Sequence, residues 1–301
     1  MTQQPDAAER ERLIRLAYRM LGSRVEAEDV VQEVLWELHR AVGVENPGGW
    51  LTTVTVRRSI DALRRRERER DYIGPWLPEP LLERRAPRGA APGPAEAAER
   101  DDTLGYAFLV LAESLTPPQR AVTVLRALGS PHEEIARILG ISPAASRQHA
   151  RRAGVVLEAG RAGRPAGPAA DAENERLLRA FLRAAREGDL AALEAVLHAD
   201  VVSYNDGGGR VRAALNPIYG RPRVARFSAG VAALHATRRR VRFLRVNGRP
   251  GAVLTLSGGV HILSVEVREG AIFRVYDVLN PAKHGALACL PPRAGGAEGR
   301  G

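Results

Sequence analysis

Two stretches rich in proline, glycine and alanine interrupt this chain, and no single hydrophobic core can run through them. Residues 71–100 include "RRAPRGAAPGPAEAAER", and residues 159–171 read "AGRAGRPAGPAAD". Proline fixes φ and lacks an amide donor, and glycine is costly to order, so neither stretch sustains a helix or strand interior. They divide the chain into blocks at about 8–70, 101–158 and 172–288, and the Gly-rich tail 289–301 is expected to be disordered. Each block must therefore bury its own apolar face. A chain of 301 residues with 45% hydrophobic content has enough material for two or three such cores.

The first linker is not uniformly polar. It begins "YIGPWLPEPL" at residues 72–81, with Pro75, Pro78 and Pro80 excluding a helix. Yet Tyr72, Ile73, Trp76, Leu77, Leu81 and Leu82 give it apolar surface that a solvated spacer does not need. A proline-stiffened segment loses little entropy on docking and presents its anchors at set spacing. Two partners are open to it: the first block, or the third.

The formal charge is +10, and apart from Lys283 every basic residue is arginine. Arginine bias also follows from GC-rich coding, so charge alone does not name a polyanionic partner; its placement must. Cys289 stands alone, which excludes an intrachain disulfide and a cysteine-based zinc site. The N-terminus lacks a signal-peptide apolar core, and no run approaches the 18 apolar residues of a membrane span. A cytoplasmic protein without cofactor or metal is expected.

The first two blocks read as helical. In "EDVVQEVLWELHR", Val30, Val31, Val34, Leu35 and Leu38 share one helix face, and Glu28, Asp29, Gln32, Glu33 and Glu37 the other. "NPGGWLTTVTVRRSIDALRRRERER" starts with the helix breakers Pro and Gly and continues with Leu51, Val54, Ile60 and Leu63 as core positions. Its end, residues 57–70, holds seven arginines against three acids. Such a run is either a solvated helix end with internal ion pairs or a phosphate-contacting surface. In the second block, "SPHEEIARILGISPAASRQHARRAGVVL" is a helix, a turn at Gly140, and a second helix capped by Ser142 with Pro143 at its first position. Ile135, Ile138, Leu139 and Ile141 would join the two helices, with Ser146 and Ala150 facing inward. Arg147, Gln148, His149, Arg151 and Arg152 are left outward, the donor types a major groove accepts, so a DNA-binding helix-turn-helix is favoured over a plain hairpin.

The third block changes character. A helix over "NERLLRAFLRAAREGDLAALEAVL", interrupted at Gly188-Asp189, precedes the strand-like segments "VVSYND", "RVRFLRVNG", "GAVLTLSGG", "HILSVEVREG" and "AIFRVYDVLN". Alternation and glycine-containing turns predict a curved antiparallel sheet in an α+β domain. Candidate proton-transfer groups are Tyr204, Asp206, His261, Tyr276 and Asp277. Asp206, followed by Gly207, Gly208 and Gly209, reads as a tight turn rather than a buried base. Asp277 would pair with one of the many arginines.

"AEDVVQEVLWELHR" with "NPGGWLTTVTVRRSIDALRRR" resembles the σ2 domain of bacterial extracytoplasmic-function σ factors, and "LAESLTPPQRAVTVLRALGSPHEEIARILGISPAASRQHARRA" resembles their σ4 domain. "YIGPWLPEPL", "YNDGGGRVRAALNPIYG" and "VLNPAKH" are similar to motifs of the subgroup that carries a C-terminal SnoaL-like domain. The resemblance implies a multidomain chain: two all-α domains that bind DNA and polymerase, and a C-terminal α+β cone-shaped SnoaL-like domain of the nuclear-transport-factor-2-like kind.

On this resemblance the helix at 28–40 would dock on the β′ subunit of core RNA polymerase through Asp29, Gln32 and Glu33. The helix at 50–66 would contact the −10 element through Arg57, Arg58, Arg64, Arg65 and Arg66, with Arg57 where many relatives carry Asn. The helix at 142–157 would read the −35 element, with Ser146 where relatives carry a larger apolar residue. Partners would be core polymerase (β′ and β subunits) and promoter DNA. The third domain would clasp the linker through Trp76, Leu77 and Pro78, using Asp206, Gly207 and Gly208 of "DGGGR" and Asn280 and Pro281 of "NPAKH". That makes it a cis-regulator of an alternative σ factor and not an enzyme. Two other readings stay open: a ligand-responsive helix-turn-helix regulator with a small ligand in its C-terminal domain, and a σ scaffold fused to a SnoaL-like enzyme.

Overall fold

The structure, a computed structural model, describes residues 5–68, 72–83, 106–161, 168–235, 240–285 and 287. Arg70, linker residues 84–105 and the expected disordered tail lie outside these residues. The chain forms two compact units. The N-terminal one comprises Met1–Tyr72, Leu77–Glu79 and Asp101–Pro165, and the C-terminal one Ile73–Trp76, Pro80–Arg100 and Ala166–Gly301.

The N-terminal unit is all helix. Helix α1 (Ala7–Leu21) opens on Asp6, whose carboxylate accepts from the Glu9 amide at 2.7 Å, and ends at Gly22 in the left-handed region (φ 69°). Helix α2 (Arg24–Arg40) starts four residues before the stretch expected from its apolar pattern. Ser23 caps it locally, its Oγ accepting from the Glu26 amide at 3.3 Å, and the Glu79 carboxylate, 55 residues from Arg24, adds an anionic partner by accepting from the Arg24 amide at 2.7 Å and from Ser23. Helix α3 (Pro47–Arg68) also starts early, and "NPGG" is its first turn rather than a break. Asn46 Oδ1 accepts from the Gly49 amide at 3.0 Å, and Pro47 takes the first helical position, where a missing N–H costs nothing. Leu13, Leu16, Met20, Val31, Val34, Leu51 and Val56 form the common core of the three.

Helices α4 (Tyr106–Ala112), α5 (Pro117–Ala127), α6 (His132–Leu139) and α7 (Pro143–Arg161) complete this unit. A buried arginine ties them to the first three. Arg120 on α5 is 2% exposed; it donates to the Met20 carbonyl at the end of α1 at 2.8 Å and pairs with Glu113. Glu113 in turn receives Arg66 of α3 at 3.2 Å, and Arg66 also donates to the Leu21 carbonyl. Burial holds the Arg120 pKa below its ordinary value, and the Glu113 carboxylate opposes that shift.

The C-terminal unit is a sheet with helices on one face. Helix α8 (Pro168–Glu187) breaks at Gly188 (φ 70°), and Asp189 caps α9 (Leu190–Val196), as the sequence predicts. Strands β2 (Leu197–Asp206), β4 (Arg240–Val246), β5 (Arg249–Leu256), β6 (Gly259–Arg268) and β7 (Ala271–Val278) follow the anticipated segments. Two short strands, β1 (Leu82–Glu83) and β3 (Ile218–Tyr219), and helix α10 (Arg221–Leu234) were not anticipated. The buried positions of α10 (Val224, Ala225 and Ala232) are mostly small, so its apolar period is faint. Leu178, Phe181, Leu193, Val201, Val224, Leu254, Leu263 and Val265 build the core between sheet and helices.

The strand order is β1-β4-β5-β6-β7-β2-β3, which corrects two expectations. The sheet is open and does not close into the expected SnoaL-like cone: its edges are β1 and β3, two residues each, too short to supply the ladder that closure requires. Nor is it wholly antiparallel, since β2 runs parallel to β7. The intervening helix and strands return the chain in that direction, which no hairpin could do.

Candidate functional site

In the N-terminal unit, Asp29, Gln32 and Glu33 are exposed on α2, opposite its buried Val30, Val31, Val34 and Leu38. The same face carries Trp36, 66% exposed, one turn beyond Gln32 and Glu33. The sequence signal for it was a tryptophan falling outside the apolar stripe. An exposed indole among polar groups has the composition of a protein-binding patch, because Trp buries a large area at little rotamer cost.

Helices α6 and α7 have the expected helix-turn-helix geometry. Gly140 takes the left-handed conformation (φ 67°) that the tight turn requires, and Ser142 Oγ accepts from the Ala145 amide at 3.1 Å. Ile135 and Ile138 are buried. Ser146 is fully buried, facing inward as expected, and its Oγ lies 2.8 Å from His132 Nδ1, a polar bond that joins the two helices. Arg147, Gln148, Arg151 and Arg152 are exposed, whereas His149 is half-buried with Nδ1 unpartnered. Arg147 makes one long contact, 3.4 Å to Glu133, with both groups more than half exposed. Such a pair breaks at almost no cost.

The arginines of α3 are not equivalent. Arg57 donates to the Ile138 carbonyl at 2.8 Å and so caps α6 within this unit. Arg58 pairs with Glu37 and Arg64 with Asp61, while Arg66 is held by Glu113 and the Leu21 carbonyl. Arg65 is exposed and has no partner among the described residues. The run therefore combines both sequence readings, some members paired and one free.

The linker is divided residue by residue. Leu77 and Pro78 belong to the N-terminal unit: Leu77 is 0% exposed, worth about 1.5–3 kcal/mol of burial. Tyr106 donates to the Pro78 carbonyl at 2.9 Å and Tyr18 to the Glu79 carbonyl at 2.7 Å. Trp76 belongs to the C-terminal unit, where the Lys283 ammonium sits 4.0 Å from its ring centroid. Lys283 also pairs with Asp206 at 2.7 Å, and Asp206 is 0% exposed. Asp206, expected at a tight turn rather than as a buried group, is thus buried, and its partner is the single lysine of the chain, 77 residues on.

"YIGPWLPEPL", "DGGGR" and "NPAKH" therefore meet in one cluster. The Asp206 carbonyl accepts from the Leu279 and Asn280 amides at 2.8 Å, and Asn280 Oδ1 caps the short turn at Pro281–Lys283. Gly207 and Gly209 are demanded by close approach: a Cβ would meet the Val211 carbonyl at 2.6 Å and Ile73 at 2.9 Å, respectively. Gly208 is left-handed (φ 56°). Beyond Pro80, Leu81 exchanges two hydrogen bonds with Asn247, and Leu82–Glu83 pair with β4.

The sheet separates the remaining candidates. His261 lies on the helix-covered face by alternation with Leu263 and Val265, and its Nδ1 is 2.9 Å from Asp277 Oδ2. The partner of Asp277 is thus a histidine and not an arginine, and its Oδ1 is buried without a hydrogen bond. Tyr204 and Tyr276 stack at 5.8 Å on the opposite face, and Tyr276 donates to Glu266 at 3.1 Å. Burial first, and the Glu266 carboxylate second, push the Tyr276 phenol well above its ordinary value. Among the described residues no group of His, Cys, Asp and Glu has the arrangement to hold a metal ion, and no helix is long and apolar enough to cross a membrane.

The family model for Sigma-70 region 2 matches residues 7–69, and that for Sigma-70, region 4, matches residues 107–153. The chain is 33% identical over 292 residues to the ECF RNA polymerase sigma factor SigJ of Mycobacterium tuberculosis, covering 91% of this chain and 90% of that protein. It is 34% identical over 206 residues to the probable ECF RNA polymerase sigma factor SigI of the same organism, covering 66% and 68%. The crystal structure of the M. tuberculosis SigJ protein superposes with a TM-score of 0.73 at 30% identity, over 93% of this chain and 96% of that one.

Proposed function

This chain belongs to the extracytoplasmic-function family of RNA polymerase σ factors, and from that premise we propose how its parts divide the work of directing transcription initiation. Core polymerase docks on the exposed face of α2, with Asp29, Gln32 and Glu33 around Trp36. The −35 element is read by α7 through Arg147, Gln148, Arg151 and Arg152, and the −10 element is met by α3, where Arg57 and Arg66 must first release their present carbonyl and carboxylate partners. The protein works in the cytoplasm with the polymerase, and its C-terminal unit acts as a cis-regulator and not as an enzyme.

The observation that carries the regulatory part is the Trp76–Lys283–Asp206 cluster, which binds part of the linker between the two promoter-reading segments to the C-terminal unit. A linker held in this way restricts the orientations available to what it connects, and a few kcal/mol of holding shifts such an equilibrium tenfold or more. The test is run-off transcription with core polymerase and either the full chain or a chain ending at residue 165. A changed transcript yield from the shortened chain, in either direction, is expected; equal yields across promoters and salt would remove the regulatory role and leave the σ activity standing.

The DNA-reading part makes a second prediction. Arg147→Ala should weaken −35 binding by about 1–3 kcal/mol and relax preference at one base position. Footprinting of the variant holoenzyme measures this, and an unchanged footprint on all single-base promoter variants would take Arg147 out of the reader.

A further inference from the structure

The positive charge of this chain is concentrated in one place, and that place is in the C-terminal unit. Between Asp206 and Glu266 there is no acidic residue, while eleven arginines occur. Elsewhere the chain has 34 basic against 35 acidic residues, so this stretch of 59 residues carries the whole net charge of +10 and slightly more.

The arginines of this unit fall into two kinds. Three of the four on α8 are paired locally, Arg176 with Glu173, Arg179 with Glu175 and Arg186 with Glu187. Arg245 and Arg249 likewise share Asp171. By contrast, the side chains of Arg210, Arg212, Arg223, Arg226 and Arg240, like that of Arg183 on α8, are exposed and have neither carboxylate nor hydrogen-bond partner among the described residues. Four of these lie on the two chain segments that adjoin β3. Arg210 and Arg212 are in the segment leading from β2 to β3, and Arg223 and Arg226 are on the first two turns of α10, which starts directly after β3. They flank the β3 edge of the sheet, where Tyr219 is 59% exposed. The N-terminal end of α10 adds its own partial positive charge to the same region.

We propose that this β3–α10 edge is a further DNA-binding surface, which grips the phosphate backbone of promoter duplex once the σ factor has placed the polymerase there. Unpaired arginines around a helix start and an exposed tyrosine fit phosphate oxygens, which accept from forked guanidinium groups and tyrosine hydroxyls without regard to sequence. The stretch 207–265 that forms it contains no acid, and the exposed Asp200 of β2 borders it, one residue from the Val201 carbonyl that accepts from the Gly220 amide. Duplex DNA is the polyanion at hand, because a covalent tether of only six residues, 162–167, separates α7 from α8 and holds the unit near any promoter that α7 has bound. Such tethering raises the effective concentration of a weak contact to the millimolar range. The role assigned is affinity, not base recognition. It rests on the σ-factor reading.

The test compares holoenzymes carrying full-length protein: wild type, Arg210, Arg212, Arg223 and Arg226 all changed to Gln, and a control with Arg176, Arg179 and Arg186 changed to Gln. Promoter-duplex affinity is measured from about 50 to 200 mM salt, the range over which counterion release is read. Each lost phosphate contact flattens the slope of log affinity against log salt by about 0.9, so the quadruple variant should lose up to about 3.6 units and the control none. Run-off transcription at the lowest salt should persist in all three; its loss in the quadruple variant would mean that σ function itself had failed, and would overturn a purely affinity role. Equal slopes for wild type and the quadruple variant would overturn the surface. So would equal flattening in the control, which would show a general charge effect. A difference that emerges only with nascent transcript present would assign the surface to RNA and overturn the duplex proposal.

Discussion

Glu113→Ala should destabilise the N-terminal unit by about 3–5 kcal/mol, a large share of the stability of an ordinary domain. The cause is the partner left behind. Arg120 is 2% exposed, and desolvation already lowers its pKa, so removing the carboxylate strands a guanidinium among Met20, Leu109 and their carbonyls. Arg66 loses its carboxylate in the same step. The charge itself is dispensable if both sides of the pair go together. Arg120→Met combined with Glu113→Ala should recover most of the loss, since replacing a buried pair by apolar volume is often neutral. Urea unfolding of the three proteins measures both effects. A Glu113→Ala midpoint equal to wild type would mean that the carbonyl bonds alone satisfy Arg120.

Lys283→Met should have an effect of similar size in the C-terminal unit, with a local signature. The substitution keeps the stem but removes the ammonium, leaving the fully buried Asp206 carboxylate without its counter-charge and Trp76 without its cation. About 3–5 kcal/mol is expected for stranding a buried charge, and the cation–π contact adds about 0.5–2 kcal/mol. Residues 73–76 should lose protection first, because Ile73 and Trp76 lean on the two loops that Asp206 and Lys283 join. Limited proteolysis near Tyr72 reads this directly, and Asp206→Asn in the Lys283→Met background should restore part of the stability. Equal protection in wild type and Lys283→Met would show that the linker is held without this pair. Trp76→Ala, by comparison, should free the segment while sparing the Asp206–Lys283 bond.

What the sequence determined by itself were the features with short-range causes. The apolar stripes of α2, the cap at Ser142, the turn at Gly140 and the break at Gly188-Asp189 are each settled within a few residues, and each stands where local chemistry places it. The outward Asp29, Gln32 and Glu33 and the exposed arginines of α7 were legible for the same reason. "YIGPWLPEPL" was visible through apolar surface that a spacer does not need, while "DGGGR" and "NPAKH" were tied to it only by resemblance.

What tertiary structure alone decided is whatever depends on a partner far along the chain. Glu79 reinforces the start of α2 from 55 residues away, Arg120 reaches the end of α1 across 100, and Lys283 pairs with Asp206, which is buried, across 77. The strand order belongs here too. Alternation says which face of a strand is buried but not which neighbour it takes, so the parallel β2–β7 pair, the two short edge strands and the open sheet could not be read in advance. Charges behave in the same way. The sequence counts arginines, but only the fold separates Arg176 and Arg179 of α8, each paired with a glutamate within four residues, from Arg210, Arg212, Arg223 and Arg226, whose exposed side chains form no ion pair among the described residues. The interaction energy of a charge depends on distance through space and on burial, and sequence spacing determines neither beyond a helical turn.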